Sequence, residues 1–129
     1  MKILLDTHIW LWLINEPEKI GRTLAHEIRN TENECWLSPI STWEVLVLAG
    51  KGRIRLRENT ADWVTRATAP FREAAVTHEV AMATEQLSWK NRDPGDRFLA
   101  ATAKVFGLTL ATADTKLLGL GEIATLANR

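Results

Sequence analysis

Short apolar runs that alternate with helix-like segments are the feature that most constrains the fold of this chain. The candidate strands are "KILLD" (2–6), "CWLS" (35–38), "EAAV" (73–76), "LTLAT" (108–112) and "IATL" (123–126). Uninterrupted apolar strands separated by helices are typical of a parallel sheet that is covered on both faces. Because crossovers between parallel strands are right-handed, the sequence predicts an α/β fold, a three-layer α/β/α sandwich around a mainly parallel sheet. We expect four to five strands in that sheet.

Prolines, glycines and capping residues predict where the helices begin and end. The predicted helices are "THIWLWLIN" (7–15), "RTLAHEIRN" (22–30), a helix that follows Pro39 and ends near Gly50 and Gly52, "ADWVTRATA" (61–69), "HEVAMATEQL" (78–87) and "DPGDRFLAATAKVFG" (93–107). The last of these has the strongest signals, with Asp93 as N-cap, Pro94 in the first helical position and Gly107 beyond the end.

Length and composition favour one cytoplasmic domain over residues 1–129. The chain is 46% hydrophobic and 25% charged, which is ordinary for a globular protein. The apolar stretch Ile9 to Ile14 is far too short to span a bilayer, and Asp6 would interrupt a signal peptide. A single cysteine, Cys35, cannot form an intrachain disulfide and suits a reducing compartment. We therefore expect no membrane association.

The charge is balanced overall but uneven locally. Sixteen basic and sixteen acidic residues cancel, so net charge does not indicate a nucleic-acid binder. In "KGRIRLR" (51–57), however, a cation recurs at every second residue. This segment is either a solvated loop or a stripe that follows a phosphate backbone, and the sequence favours the loop.

Acidic residues follow the predicted strands at the edge where α/β sheets usually carry their sites. Asp6 closes the first strand, Asp114 follows the fourth, and Glu44 lies in the first turns of the helix that leaves the second. Asp96 lies in the first turn of the helix 93–107. Because this helix runs into the fourth strand, a simple crossover is expected to start it at the opposite edge, so the residues alone leave its position open.

Each acid also has a purely structural interpretation. Asp6 and Asp114 could cap the segments that follow them. Ser41 and Glu44 match the S-x-x-E capping box, and Asp96 could be the first-turn acid of a helix capped by Asp93. These interpretations do not explain why several acids fall at strand ends or helix starts.

If the acids converge, their chemistry indicates a hard divalent cation. Neighbouring carboxylates repel each other and take up protons unless a cation is present, and oxygen ligands favour Mg²⁺ or Mn²⁺ over zinc. Two such ions about 4 Å apart can activate water against a phosphodiester. No P-loop, dinucleotide-binding glycine motif, HExxH or zinc-binding Cys/His spacing competes with this interpretation. His8, His26 and His78 are scattered, and we expect each to be a surface or helix-end residue rather than a metal ligand.

Four sequence blocks carry a family resemblance over nearly the whole chain. They are "LLDTHIWLW" (4–12), "SPISTWEV" (38–45), "RDPGDRFLAATA" (92–103) and "LATADTKL" (110–117). In order and spacing they resemble the PIN-domain ribonucleases, and among these the VapC toxins of bacterial and archaeal toxin–antitoxin pairs. The resemblance implies an endoribonuclease that depends on Mg²⁺ or Mn²⁺ and cleaves RNA with metal-activated water, leaving a 5′-phosphate and a 3′-hydroxyl.

The resemblance also implies residue roles and partners. Its metal-binding acidic tetrad falls on Asp6, Glu44, Asp96 and Asp114, which brings the helix of Asp96 to the shared edge. It gives supporting roles to Thr112 and to Arg97, for which we expect an ion pair with a site acid. It further implies a homodimer and a small VapB-like antitoxin, and the six tryptophans suit such an interaction surface, although we expect most of them to pack in the core.

Three other functions compete with the ribonuclease. A response-regulator-like switch would need an acidic pair beside a phospho-accepting aspartate and a lysine after the last strand, and neither is clear. A haloacid-dehalogenase-like phosphatase would need a second aspartate where "DTH" has histidine. A catalytically silent PIN module that only binds RNA or protein is the main alternative, and the intact tetrad argues against it.

Overall fold

The computed structural model describes all residues from Met1 to Arg129 and has five parallel strands in one sheet, in the order β3-β2-β1-β4-β5. The strands are β1 (Lys2–Leu5), β2 (Glu34–Leu37), β3 (Arg72–Glu73), β4 (Thr109–Thr112) and β5 (Ala124–Ala127). The predicted third strand, 73–76, is shorter than expected and begins one residue earlier. The candidate fifth strand forms and pairs with β4 along its whole length.

Seven α-helices flank this sheet. They are α1 (Thr7–Asn15), α2 (Arg22–Arg29), α3 (Pro39–Gly50), α4 (Thr60–Thr68), α5 (His78–Gln86), α6 (Pro94–Phe106) and α7 (Thr115–Leu118), with a 3₁₀ turn at Pro17–Lys19. The capping signals of α6 act as predicted: the Asp93 carboxylate accepts from the Gly95 amide, and Gly107 adopts a left-handed conformation with φ of 65°. None of the helices is long and apolar enough to cross a membrane.

The central strand β1 separates two apolar cores, which confirms the predicted three-layer α/β/α sandwich. Leu4 belongs to the core beneath α5 and α6, whereas Ile3 and Leu5 belong to the core beneath α1 and α3. Successive strand side chains point to opposite faces, so three consecutive buried residues in β1 serve both cores. The second core also holds Trp10 and Trp63, whose ring centroids are 5.3 Å apart.

The position of helix α6 corrects one expectation. Its last residue, Phe106, is followed by Gly107 and then by strand β4. A helix that leads into a parallel strand ends at the amino edge of the sheet, so its first turn, about 20 Å away for thirteen residues, lies at the carboxyl edge. The expected placement of Asp96 at the opposite edge was therefore wrong, and Asp96 starts at the same edge as Asp6.

The basic segment 51–57 is irregular, as the loop interpretation expects, but its alternation persists. Arg53, Arg55 and Arg57 are exposed. Ile54 and Leu56, between them, are half-buried and pack against the core beneath α1 and α3. The segment is therefore anchored by its apolar residues and presents its cations to solvent.

Candidate active site

The four predicted site acids line one cavity of about 370 Å³ at the carboxyl edge of the sheet. Asp6, Glu44, Asp96 and Asp114 come from four different segments of the chain and meet there. The cavity is lined as well by His8, Trp12, Asp93 and Lys116. We call it the acidic cavity. It is the place in the fold where strand ends and helix starts converge, as expected for an α/β sheet.

Asp6 is held by both of its carboxylate oxygens. Its backbone amide continues the sheet by donating to the Ala111 carbonyl at 3.0 Å. One carboxylate oxygen accepts from the Thr7 amide at 2.7 Å, which caps α1, and the other accepts from the Thr112 hydroxyl at 2.7 Å. The residue is only 8% exposed. The predicted capping role and a place in the acidic cavity therefore coexist in one side chain.

Glu44 is not part of a capping box, which corrects that alternative. Helix α3 is capped one turn earlier, where the Ser38 hydroxyl accepts from the Ile40 amide at 3.0 Å. The Thr7 hydroxyl lies 2.7 Å from Glu44 Oε1 and 2.8 Å from the Ser41 hydroxyl oxygen. A hydroxyl has one proton and a carboxylate only accepts, so Thr7 donates to Glu44 while the Ser41 hydroxyl can donate to Thr7. These hydrogen bonds orient the Glu44 carboxylate towards the first residue of α1.

Asp96 occupies the first turn of α6, where the helix dipole favours a negative charge. Its carboxylate accepts from the Asn91 side-chain amide at 3.0 Å. The Asn91 side-chain oxygen in turn accepts from the Asp93 amide at 3.0 Å. Asn91 thus ties the loop before α6 to the carboxylate that the helix presents.

Arg97 does not form the expected ion pair with a site acid. Its guanidinium is buried, 5% exposed, and donates to three backbone carbonyls, those of Trp89 at 2.7 Å, Asn91 at 2.9 Å and Thr84. These carbonyls belong to the end of α5 and the loop after it. Arg97 therefore fastens the loop that carries Asn91, and it supports Asp96 through that loop rather than by direct contact.

Thr112 and Asp114 are joined at the end of β4. The Thr112 hydroxyl oxygen accepts from the Asp114 amide at 3.0 Å while donating its proton to Asp6. The Asp114 carboxylate accepts from the Lys116 amide at 2.9 Å and caps α7. A single buried hydroxyl thus links two of the site acids, one through its side chain and the other through its backbone.

The electrostatics of the cavity disfavour the ionised form of three acids. Burial raises the pKa of Asp6, an effect opposed by the bonds from Thr112 and Thr7. Burial, with added repulsion from Asp6 and Asp93, raises the pKa of Glu44. Burial and the neighbouring Asp93, Asp114 and Asp6 raise the pKa of Asp96 to about 6. The cavity therefore concentrates negative charge that a cation would stabilise.

The donor set fits a hard divalent cation in its chemistry, although it does not form a closed coordination sphere. No three His, Cys, Asp or Glu side chains are arranged to ligate one ion as they stand. The four site acids nevertheless border the same cavity and supply carboxylate oxygens, the ligands that Mg²⁺ and Mn²⁺ prefer.

The comparisons with known proteins place the chain in a family. The sequence model of the PIN domain matches residues 3–123. The chain belongs to the PIN-domain family. It is 31% identical over 116 residues, 89% of its length, to Ribonuclease VapC22 of Mycobacterium tuberculosis, of which it covers 88%. The resemblance that the four sequence blocks carry is confirmed.

Solved structures of other PIN-like chains agree on the fold. A chain in the crystal structure of VapBC2 from Rickettsia felis, bound to a DNA fragment from its promoter, superposes with a TM-score of 0.75 at 16% identity, covering 98% of each chain. A chain in the crystal structure of FitAcB from Neisseria gonorrhoeae gives a TM-score of 0.66 at 25% identity, covering 96% of each. The PIN-like α/β class predicted from the sequence is confirmed.

Three features of this PIN domain escaped the sequence analysis. Thr7 and Asn91 orient Glu44 and Asp96, and Gly95 leaves space for the Glu44 carboxylate. Thr7 directly follows Asp6, and Asn91 lies two residues before Asp93, the N-cap of α6. Both residues therefore lie beside positions that the sequence did predict. The roles of Thr7 and Gly95 depend on contacts with Glu44, which is far from both in the sequence, and the role of Asn91 depends on how the loop before α6 folds back onto Asp96.

Proposed function

We propose that this PIN domain is a metal-dependent endoribonuclease that acts as the toxin of a VapBC-type pair. The observation that carries the proposal is the meeting of Asp6, Glu44, Asp96 and Asp114 in one cavity of a chain that is similar to a VapC ribonuclease. Mg²⁺ or Mn²⁺ would be held by these four carboxylates. When bound, such ions activate water and neutralise the charge that develops on a phosphodiester.

The protein contributes position and charge to this reaction. Asp6 is fixed by Thr112 and Thr7, and Glu44 by Thr7, so these carboxylates face the cavity without further ordering. Asp96 is held by Asn91. Preorganised groups of this kind lower the reorganisation needed in the transition state. The lysine of the cavity wall, Lys116, is placed to attract the phosphate of an incoming strand.

The proposal includes a protein partner. Several structural neighbours are toxin–antitoxin complexes, among them the complex from Klebsiella pneumoniae and the DNA-bound VapBC from Salmonella typhimurium. By analogy, a VapB-like antitoxin would bind this chain and hold it inactive. The homodimer expected from the sequence stays a prediction, which the mass of the purified protein in solution would test.

The test is RNA cleavage by the purified protein and two matched variants. Total RNA is incubated with Mg²⁺, with and without EDTA, beside Asp6→Asn and the control Glu85→Gln, which neutralises an exposed carboxylate on α5. Asparagine can still cap α1, so Asp6→Asn is expected to fold. We expect cleavage by the wild-type protein and the control, loss of cleavage with EDTA, and at least a 100-fold loss in Asp6→Asn.

Two results would contradict the proposal. Equal cleavage by Asp6→Asn would exclude the acidic cavity as the reaction site. No cleavage by protein that is shown to be free of antitoxin, together with no effect of Mg²⁺ on the melting temperature, would instead favour the catalytically silent module that only binds RNA or protein.

A further inference from the structure

A second cavity, of about 810 Å³, lies beside the C-terminal end of α1, away from the acidic cavity. Its polar lining comes from the end of α1, the segment 51–57 and helix α4, namely Asn15, Arg55, Arg57 and Arg66. We call it the arginine cavity. The proposed hydrolysis does not use it, and it contains two of the alternating cations seen in the sequence.

The charge of the arginine cavity is only partly neutralised. Arg66 is paired with Glu58 through two of its guanidinium nitrogens. Arg55 and Arg57 are exposed and form no ion pair in the structure. In a chain whose net charge is zero, two neighbouring arginines without carboxylate partners leave a local excess of positive charge. Such a site favours phosphate groups.

The position of these arginines is fixed by their apolar neighbours. Ile54 and Leu56 pack against the core beneath α1 and α3. Because the side chains alternate, this packing directs Arg55 and Arg57 outwards together. The cations are therefore held beside the cavity by the fold rather than carried on a free loop.

One face of α1 connects the two cavities. His8, Trp12 and Asn15 are spaced by four and three residues, so they share a face of the helix. His8 and Trp12 line the acidic cavity, and Asn15, about 10 Å from His8 along the helix axis, lines the arginine cavity. The His8 and Trp12 rings are 6.1 Å apart, and Lys19 Nζ lies 5.6 Å from the Trp12 ring centroid. The connecting face thus offers aromatic rings, and the cation beside them, Lys19, is itself paired with Glu16 at 3.2 Å.

We propose that the face of α1 and the arginine cavity bind single-stranded RNA, with Arg55 and Arg57 holding phosphates of a strand whose reacting phosphodiester lies in the acidic cavity. This inference rests on the proposed function. Proteins that bind single strands combine a positively charged groove with aromatic side chains on which bases stack. The arginines favour RNA over an acidic peptide because the aromatic face beside them leads to the acidic cavity, where the proposed function places a phosphodiester.

The test compares two double variants that lose the same charge. Arg55→Gln with Arg57→Gln removes the cations of the arginine cavity, whereas Lys51→Gln with Arg53→Gln removes two exposed cations of the same segment that do not line it. Binding of a fluorescent single-stranded RNA dodecamer is measured by anisotropy over a salt series, with every protein carrying Asp6→Asn so that the RNA stays intact. Melting temperatures show that all variants are folded.

We expect the cavity variant to bind the dodecamer about 10-fold more weakly and its salt slope to fall by about 1.4, the value for two phosphate contacts on a single strand. The control pair should change the affinity by less than about twofold. Equal losses in both pairs would overturn the proposal in favour of a general charge effect. Unchanged RNA binding, with poly-glutamate binding abolished by the cavity substitutions, would overturn it in favour of an acidic protein partner.

The two proposals fail in different ways. If the arginine cavity binds RNA as expected and no RNA is cleaved under any condition, the binding site stands and the proposed catalytic function is wrong. If RNA is cleaved in an Asp6-dependent manner and the cavity variant binds as tightly as the control pair, the catalytic function stands and the arginine cavity is not part of the RNA site.

Discussion

At the scale of single residues, Gly95 is where a methyl group would disturb the site most directly. A Cβ at Gly95 would lie 2.7 Å from Glu44 Oε2. We expect Gly95→Ala to move the Glu44 carboxylate and to lower RNA cleavage by at least about 10-fold, because small misplacements of catalytic groups have large effects. The free energy of unfolding should change by less than about 1 kcal/mol, since alanine suits a helix and a side-chain end can move.

A matched glycine on the helix of Glu44 provides the control for that substitution. Gly50 ends α3, and a Cβ there would meet nothing within 4 Å. Gly50→Ala should therefore leave cleavage unchanged. If Gly95→Ala cleaves RNA as fast as Gly50→Ala, the space beside Glu44 has no importance for the reaction.

The same scale shows why the structural and functional interpretations of the acids were hard to separate. Asp6 and Asp114 do cap the helices that follow them, as their positions suggested. A carboxylate has two oxygens, so capping engages one and leaves the other for Thr112 or for the cavity. Only the capping box of Glu44 was wrong, because helix α3 begins at Pro39 and Ser41 already lies inside it.

At the scale of elements, α6 and the loop before it depend on Arg97. This buried cation has no carboxylate partner and instead donates to three carbonyls of residues 84–91. We expect Arg97→Met, which keeps much of the side-chain volume, to lower the free energy of unfolding by about 3 kcal/mol, because buried carbonyls lose their donor. The measurement is urea denaturation, followed by tryptophan fluorescence.

Arg92→Met is the matched control, because Arg92 is exposed in the same loop and forms no hydrogen bond or ion pair through its side chain. It should change the free energy of unfolding by less than about 0.5 kcal/mol. A similar small effect of Arg97→Met would mean that the loop carrying Asn91 does not need the guanidinium.

The order of helices and strands alone was enough to place Asp96 at the carboxyl edge of the sheet. A helix that leads directly into a parallel strand must start at the carboxyl edge, so the signals at Asp93, Pro94 and Gly107 already implied where α6 begins. The links from Thr7 to Glu44 and from Asn91 to Asp96 are different. The first depends on side-chain directions across packed segments 37 residues apart, and the second on the local path of the loop before α6, and spacing along the chain determines neither.

At the scale of the whole molecule, the zero net charge is the sum of one negatively charged cavity and one positively charged cavity among otherwise mixed charges. The acidic cavity gathers the four site acids and Asp93, whereas the arginine cavity presents Arg55 and Arg57 without partners. Composition could not show this, because a sum of charges contains no positions. The alternation in "KGRIRLR" located the cations, although the sequence favoured a solvated loop, and the packing of Ile54 and Leu56 explains why the alternation holds without a strand.

We expect the acidic cavity to make the stability of the whole chain depend on pH and on Mg²⁺. Raised pKa values at Asp6, Glu44 and Asp96 mean that the folded state holds protons more tightly than the unfolded chain. The ionised acids therefore destabilise the fold fully at a pH above their folded pKa, which is about 6 for Asp96. This destabilisation is relieved as the pH falls from about 6 towards 3.8, the ordinary pKa of an aspartate. The lowered pKa of Glu122, caused mainly by its bond from Lys104, acts in the opposite sense but below 4.5.

We therefore expect the metal-free protein to melt at a higher temperature at pH 5 than at pH 7. Mg²⁺ should offset this difference, because it binds the ionised carboxylates. At about a tenfold excess over its dissociation constant it should raise the melting temperature at pH 7 by about 5 °C, and hardly at all at pH 5. Calorimetry in EDTA and in Mg²⁺ at both pH values measures the four temperatures. The control Asp6→Asn should keep its fold and lose most of the Mg²⁺ effect. An equal Mg²⁺ effect at both pH values, or one retained in Asp6→Asn, would show that the cation binds elsewhere.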